Sequence, residues 1–489
     1  MKAKSARRLV PVGLGDVDKG NMPEVFSSWC SSLARALKKD KKQMELKEAA
    51  KRKQKAIQEA EESMSEEEDP ENEMFDVEDV GNSLAPGGEG NVVESKAPTK
   101  LEDMTKEMLT PVLRKELTKQ GYQLIGSHSG VKLCRWTKNM LRGRGGCYKH
   151  SFYGISSFQC MEMTPSLACA NKCVFCWRHH TNPVTKEWRW KVDEPKFLID
   201  EAIKNHRKMI NAARGIQGVL KERIDEGMNI KHCALSLVGE PIIYPYINQF
   251  VDLLHENEIS SFLVTNAQFP EKILSMKPVT QLYISIDAAN PESLKAIDRP
   301  LFSDFWERHV ASIDALAKYP QRTVHRLTLV KEHNMEEVQD YAKLVLRGLP
   351  DFVEVKGVTY CGKSDASNLT IKNTPFHDEV ISFCKNLVQV VNDMIQQSNQ
   401  QAALYDISCE HEHSLCVLIT NKKKFFVEGR WHTWIDYPKF HQLVKSGEPF
   451  SSVDYMAPTP DWAVYGANER GFDPVETRFK RNNQSEPKD

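Results

Sequence analysis

From residue 105 onward, short β-rich runs alternate with longer stretches of helical apolar spacing. The runs at 160–165 (CMEMTP), 233–238, 261–265, 282–287, 325–330 and 353–359 predict strands. The stretches near 195–225, 245–257, 291–318, 335–348 and 376–396 predict helices. Strands that alternate with helices predict βαβ units around a parallel sheet. Six such units predict an α/β fold, a partial (βα)6 TIM-type barrel, over roughly residues 105–470 with a tail at 471–489. Chemistry in such a barrel sits on loops at the C-terminal strand ends.

The pattern is different upstream. Residues 1–40 hold a loop and a helix whose stripe of Phe26, Trp29, Leu33 and Leu37 has nothing local to pack against. Residues 41–100 predict a charged, mostly disordered linker. Between Glu61 and Asp79 it carries eleven acidic residues and no Lys or Arg, which favours solvation over burial.

The whole chain has 489 residues and a net charge of −1, so any pull on a polyanion must come from local patches. The N-terminus lacks the apolar segment of a secretory signal, and no apolar run is long enough to span a bilayer. A reducing compartment, cytoplasmic or nuclear, and no membrane partner are therefore expected, and the chain is expected to be a monomer. Twelve cysteines in such a setting point to metal binding or chemistry rather than to disulfides.

Cys169, Cys173 and Cys176 follow the first predicted strand with C-x3-C-x2-C spacing. Zinc would need a fourth ligand, which His179 or His180 could supply. A cubane iron–sulfur cluster normally takes four thiolates. Three leave one iron open, which is useful if that iron must chelate a substrate such as S-adenosylmethionine (SAM). An electron from the cluster then breaks a carbon–sulfur bond and releases an adenosyl radical.

Here the chain resembles the radical SAM superfamily, whose cysteine loop has this spacing with an aromatic before the last Cys, the place of Phe175. The resemblance implies that Gly239 and Glu240, after the second predicted strand, meet the methionine amino group. A carboxylate suits an ammonium, and Gly permits close backbone approach. It also implies that Thr265 and Asn266, ending the third strand, and Ser285 and Asp287, ending the fourth, bond the ribose hydroxyls or the carboxylate of SAM.

Upstream, Cys134, Cys147 and Cys160 are spaced C-x12-C-x12-C, too widely to imply a metal site by themselves. Together with the first motif they resemble one family, the tRNA 4-demethylwyosine synthases. The resemblance covers roughly residues 105–470 and includes GRWHTWIDYPKF at 429–440, whose role the sequence does not reveal. It implies a second 4Fe–4S cluster in the segment 130–160, held by these three thiolates. It also implies a Schiff base between Lys149 and pyruvate. The reaction implied joins pyruvate to N1-methylguanosine, 3′ to the anticodon of phenylalanine tRNA, and closes a third ring. That step leads to wybutosine. A neutral amine is needed for the Schiff base, so desolvation or nearby positive charge is expected to lower the Lys149 pKa. Six basic and no acidic residues between Val131 and His150 make that charge available.

Basic and aromatic residues interleave at 134–150 and 176–191, and a third basic run spans 204–223. Such segments suit tRNA, with cations on phosphates and rings on splayed bases. The family resemblance also extends to the N-terminus. Residues 1–40 resemble the last loop and helix of a flavodoxin-like domain that lacks its phosphate loop and sheet. No FMN is expected to bind this chain, and a separate electron donor, such as a flavoprotein, is expected to reduce the clusters. Two alternatives stay open: a radical SAM RNA methyl- or methylthiotransferase, and a zinc-dependent RNA-binding protein without catalysis.

Overall fold

The computed structural model describes residues 105–176, 182–361, 367–398 and 403–478. The expectations for residues 1–40 and 41–100, for His179 and His180, and for the end of the tail lie outside these residues.

The strands of the sheet are, in chain order, β1 (Gln123–Ile125), β2 (Ser129–Lys132), β3 (Cys160–Thr164), β4 (His232–Leu235) and β5 (Ser260–Thr265). They continue with β6 (Gln281–Ser285), β7 (Arg322–Leu329), β8 (Phe352–Gly357), β9 (Tyr405–His411) and β10 (Cys416–Asn421). The sheet order is β1-β2-β3-β4-β5-β6-β7-β8-β10-β9. From β3 to β8 every neighbour is parallel, which is the predicted six-stranded (βα)6 half of the fold. Antiparallel strands extend it at both sides: β1 and β2 beside β3, and β10 and β9 beside β8.

Two predicted helices are each two. The stretch near 195–225 divides into Pro195–Ala212 and Lys221–Gly227, separated by Gly215 and Gly218 with positive φ. The stretch 291–318 divides into Pro291–Asp298 and Phe305–Leu316, because Arg299 turns left-handed just before Pro300. The helices cover the outer face, where the main core joins strand residues such as Leu235, Leu263, Ile284, Leu327 and Val355 to Leu254, Ile313, Val345 and Leu387. Among the described residues no helix is long and apolar enough to cross a membrane.

The inner face is filled from the C-terminal part of the chain. Ala234, Phe262, Tyr283, Val324 and Phe352 point inward and meet Ile435, Phe440, Phe450 and Tyr455. The segment 429–440 thus has a structural role, closing the lumen at the N-terminal strand ends. Arg322, the fully buried first residue of β7, donates to the carbonyls of Thr433 (2.6 Å) and Trp434 (3.2 Å) and to Gln281 Oε1 (2.9 Å). Its guanidinium lies 4.4 Å over the Phe352 ring. Trp434 Nε1 donates to the Ser151 carbonyl, and Tyr437 Oη to that of Tyr153, so the same segment pins the helix Tyr148–Tyr153 inside the barrel. Arg322→Ala strands two carbonyls and removes the stopper's anchor. It is expected to cost about 3–5 kcal/mol of stability, read from urea unfolding.

Candidate active site

The loop after β3 is stitched to three neighbours. The Cys169 N–H donates to the Pro183 carbonyl, and Thr185 N–H to that of Cys169. Lys172 N–H and Val174 N–H donate to the carbonyls of Asp298 and Ile297, at the end of the helix Pro291–Asp298. Phe175 packs on Ala288, Leu294 and Ile297, an apolar floor beneath the loop. Two donors face the Cys169 sulfur at 3.5 Å, the Asn171 N–H and the Asn266 side-chain amide. Burial, followed by the charges of Asp298, Cys176, Cys169 and Asp287, pushes the Cys173 thiol well above its ordinary range. Such a set becomes thiolate when a metal core supplies the opposing charge.

Gly239 and Glu240 lie against this loop. Gly239 has φ +76°, and a Cβ there would collide with the Ser166 carbonyl, so only Gly fits the approach. Glu240 N–H donates to the Ala168 carbonyl at 2.8 Å, one residue before Cys169. The Glu240 side chain is buried, and its Oε2 accepts from Asn266 N–H at 2.7 Å. Burial pushes its carboxyl up to about 7, against the bond from Asn266. Among the described residues, Glu240 Oε1, Thr265 Oγ1 and Asp287 Oδ1 are buried without a hydrogen-bond partner in good geometry. Buried polar atoms are normally paired. These poorly satisfied oxygens beside a three-thiol loop fit a polar, cationic group such as SAM on an open iron. Ser285 ends β6, half-buried, next to Arg326 of β7 in register. Asp298, which the sequence reading missed, adds a buried carboxylate that accepts from Asn171 at 3.3 Å.

The second thiol set lies at the other end of β3. Cys134 and Cys147 each stand at the N-cap of a helix, Arg135–Leu141 and Tyr148–Tyr153, and neither sulfur caps it. Cys160 is the first residue of β3. The structure brings the set together with Lys149: the Cys134 and Cys160 thiols both feel Cys147, Lys149 and Glu162. Burial raises Cys134 well above the ordinary thiol range and Cys160 to about 12. Among the described residues no three His, Cys, Asp or Glu side chains converge on a single-ion site. A cubane does not require such convergence, because each thiolate takes its own iron.

One electrostatic expectation is overturned. Lys149 Nζ lies 3.3 Å from Glu162 Oε1, with the side chains 12% and 14% exposed. Burial pulls the Lys149 pKa down, but Glu162, Cys160 and Cys147 raise it more, so the amine is held above the ordinary lysine range. The charge that matters is a carboxylate brought in by β3, not the basic residues adjacent in sequence. Glu162 had a visible signal: it shares the inward face of β3 with Cys160 and Thr164 by alternation.

The stacking expectation is corrected in part. Trp188 and Trp190 are buried in the core, edge-on to each other and with Trp188 against His128 and Tyr244, so they are not a platform for bases. Trp136 is half-buried beside His411 and His413. Arg207, Lys208 and Arg214 in the third basic run are exposed, whereas Arg223 is ion-paired to buried Glu476.

Comparison with known proteins places the chain. Residues 163–345 match the radical SAM superfamily, and residues 347–421 match a family described as wyosine base formation. An S-adenosyl-L-methionine-dependent tRNA 4-demethylwyosine synthase of Arabidopsis thaliana is 55% identical over 486 residues, 98% of this chain and 72% of that protein. Its human counterpart, TYW1, is 61% identical over 386 residues, 78% of this chain and 51% of that protein. A solved structure of TYW1 with a lysine–pyruvate adduct bound is 29% identical, with a TM-score of 0.56, covering 65% of this chain and 98% of that one. Archaeal TYW1 is 28% identical with a TM-score of 0.51, covering 64% and 97%. With the described site geometry, these relationships show that the chain belongs to the S-adenosyl-L-methionine-dependent tRNA 4-demethylwyosine synthases.

Proposed function

We propose that the chain condenses N1-methylguanosine, 3′ to the anticodon in phenylalanine tRNA, with pyruvate to give 4-demethylwyosine. In this reading Cys169, Cys173 and Cys176 hold the radical SAM cluster, and Cys134, Cys147 and Cys160 hold a second 4Fe–4S cluster. The observation that carries the reading is Lys149, on the helix Tyr148–Tyr153, set against Glu162 part-way along β3, with one thiol triplet toward each end of that strand. Five strand residues separate the ends by about 13 Å, room for one nucleobase and a three-carbon unit.

When bound, the first cluster with SAM supplies a radical that can take a hydrogen atom from a methyl group. The rest is work for the protein. Gly239 lets the backbone approach, and Glu240 holds the ammonium of SAM, with Thr265, Asn266, Ser285 and Asp287 on its ribose and carboxylate. Phe175 supports the loop from below. Glu162 takes the proton that the Lys149 ammonium must lose before its nitrogen attacks the keto carbon. The C-terminal stopper keeps water from the imine by closing the N-terminal strand ends. The solved relative with a lysine–pyruvate adduct supports the Lys149 assignment. The test is anaerobic turnover of reconstituted protein with tRNA carrying the methylated guanosine and carbon-labelled pyruvate. Mass spectrometry should find the tricyclic base, with the carboxyl carbon lost. A methylated or thiomethylated base instead would overturn the reading.

The Glu240 carboxyl, at about 7, makes SAM binding pH-dependent. Below that pH the carboxyl is neutral and must release its proton when the ammonium binds. SAM affinity should fall by up to about tenfold per pH unit below 7. Equilibrium binding to the reconstituted protein should show this slope, and Glu240→Gln should flatten it.

A further inference from the structure

Alternation along β7 turns Arg322, Val324 and Arg326 toward the lumen. Arg322 is spent on the stopper, but Arg326 is not. Its Nε lies 3.4 Å from Glu354 Oε1, and that carboxylate is fully buried behind it on β8. The other Glu354 oxygen accepts from Tyr153 Oη at 3.1 Å. The Arg326 side chain keeps 24% of its surface exposed, and its two terminal nitrogens make no hydrogen bond among the described residues. A guanidinium braced from behind by a buried carboxylate, with about a quarter of its side chain accessible, is a preorganised anion receptor.

Its position says which anion. Tyr148, the residue before Lys149 on the lumen helix, feels the charges of both Arg326 and Lys149, and so does Tyr283 from β6. Asp287, at the SAM end, also feels Arg326. On β7, Arg326 lies four residues past Arg322 toward the C-terminal strand ends, in register with Ser285 of β6 and Glu354 of β8, and so on the side of the lumen where the radical would originate. Imine formation joins the Lys149 nitrogen to the keto carbon of the 2-oxo acid and expels one water. The carboxylate, one bond from that carbon, keeps its full charge. In a lumen lined by Tyr148, Phe262, Tyr283 and Phe352 that charge needs a partner.

We propose that Arg326 is the carboxylate clamp for the 2-oxo acid held by Lys149, turning one face of the imine toward the guanosine methyl. The proposal rests on the Lys149–pyruvate reading above. Glu354 acts through Arg326 as a positioning residue.

The test traps the imine with borohydride in reconstituted protein, with no turnover, and compares pyruvate with its uncharged isostere pyruvamide. The wild-type protein should trap pyruvate at about a tenfold lower concentration. Arg326→Lys keeps the Glu354 partner but loses the fork, and should need about tenfold more pyruvate. The paired variant Arg326→Gln/Glu354→Gln leaves no buried charge unmatched and should lose the preference for pyruvate, with SAM and tRNA affinities unchanged. A preference that persists in the paired variant overturns the clamp. So does a selective loss of SAM affinity, which would assign Arg326 to the SAM carboxylate, or of tRNA affinity, which would assign it to a phosphate. If wild-type protein traps neither ligand on Lys149, the Schiff-base reading fails, and the clamp fails with it.

Discussion

Replacing Lys149 with Ala is expected to lower formation of the tricyclic base by at least about 10³-fold, with cleavage of SAM continuing. The two outcomes should separate because the proposed reading puts the two chemistries at different ends of the lumen. Lys149 sits on the helix Tyr148–Tyr153 and faces Glu162, whereas Glu240, Asn266 and the Cys169 loop form a separate hydrogen-bonded unit beyond the C-terminal end of β3. Truncating Lys149 leaves that unit untouched but removes the nitrogen that, in the proposed reaction, makes pyruvate electrophilic. It also leaves Glu162 without its cation in a nearly buried position, so some stability is lost. Lys149→Arg keeps the charge opposite Glu162 and cannot form the imine, which separates the chemical from the structural cost. The measurement is a paired assay: tricyclic nucleoside by mass spectrometry and 5′-deoxyadenosine by chromatography from the same reaction. Ring closure by Lys149→Ala at near wild-type rate would remove Lys149 from its role. Loss of both products by Lys149→Arg in a folded protein would place it in SAM binding instead.

Much of the fold, and of the candidate site proposed on it, is legible because the strand ends that carry it are where local pattern is strongest. The inner strands are short apolar runs with polar ends, so β3 to β8 and the polar residues after them stand out in the sequence. The flanking strands do not. β1 is three residues long, and β9 carries Asp406, Glu410 and His411 among its apolar positions, so neither reads as a buried strand. Their identity comes from pairing, which is tertiary. The break at Arg299 was signalled by the proline that follows, but a continuous apolar spacing hid it. Electrostatics was the least legible part. Lys149 and Glu162 are thirteen residues apart and meet through the return of the chain into β3, a contact that local sequence does not show. Likewise, Arg326 and Glu354 look alike as charges in strands. The structure shows one fully buried and the other partly open to the lumen.

Converting Cys134, Cys147 and Cys160 together to Ala is expected to halve the metal content, from about eight irons per chain to about four, and to abolish ring formation. Among the described residues, the one side-chain hydrogen bond that these sulfurs make is Cys134 Sγ with Thr137 Oγ1, at 3.3 Å. Cys134 and Cys147 occupy helix N-caps without capping, although the positive dipole end there favours anionic sulfur. Burial pushes Cys160 to about 12 and Cys134 upward, so as free thiols they stay protonated beside the ion pair of Lys149 and Glu162. A metal core that displaces those protons turns a costly arrangement into a binding one. Cys384, fully buried among apolar side chains of the helix His377–Gln397, is the control, and Cys384→Ala should leave the iron count unchanged. The remaining four irons should still support SAM cleavage, because Cys169, Cys173 and Cys176 are untouched. Iron and sulfide analysis with the absorption spectrum reads the first outcome, and the nucleoside assay reads the second. A wild-type chain that takes up only four irons would leave the upstream triplet as buried thiols. The Lys149 imine would then have to form and react without a metal neighbour.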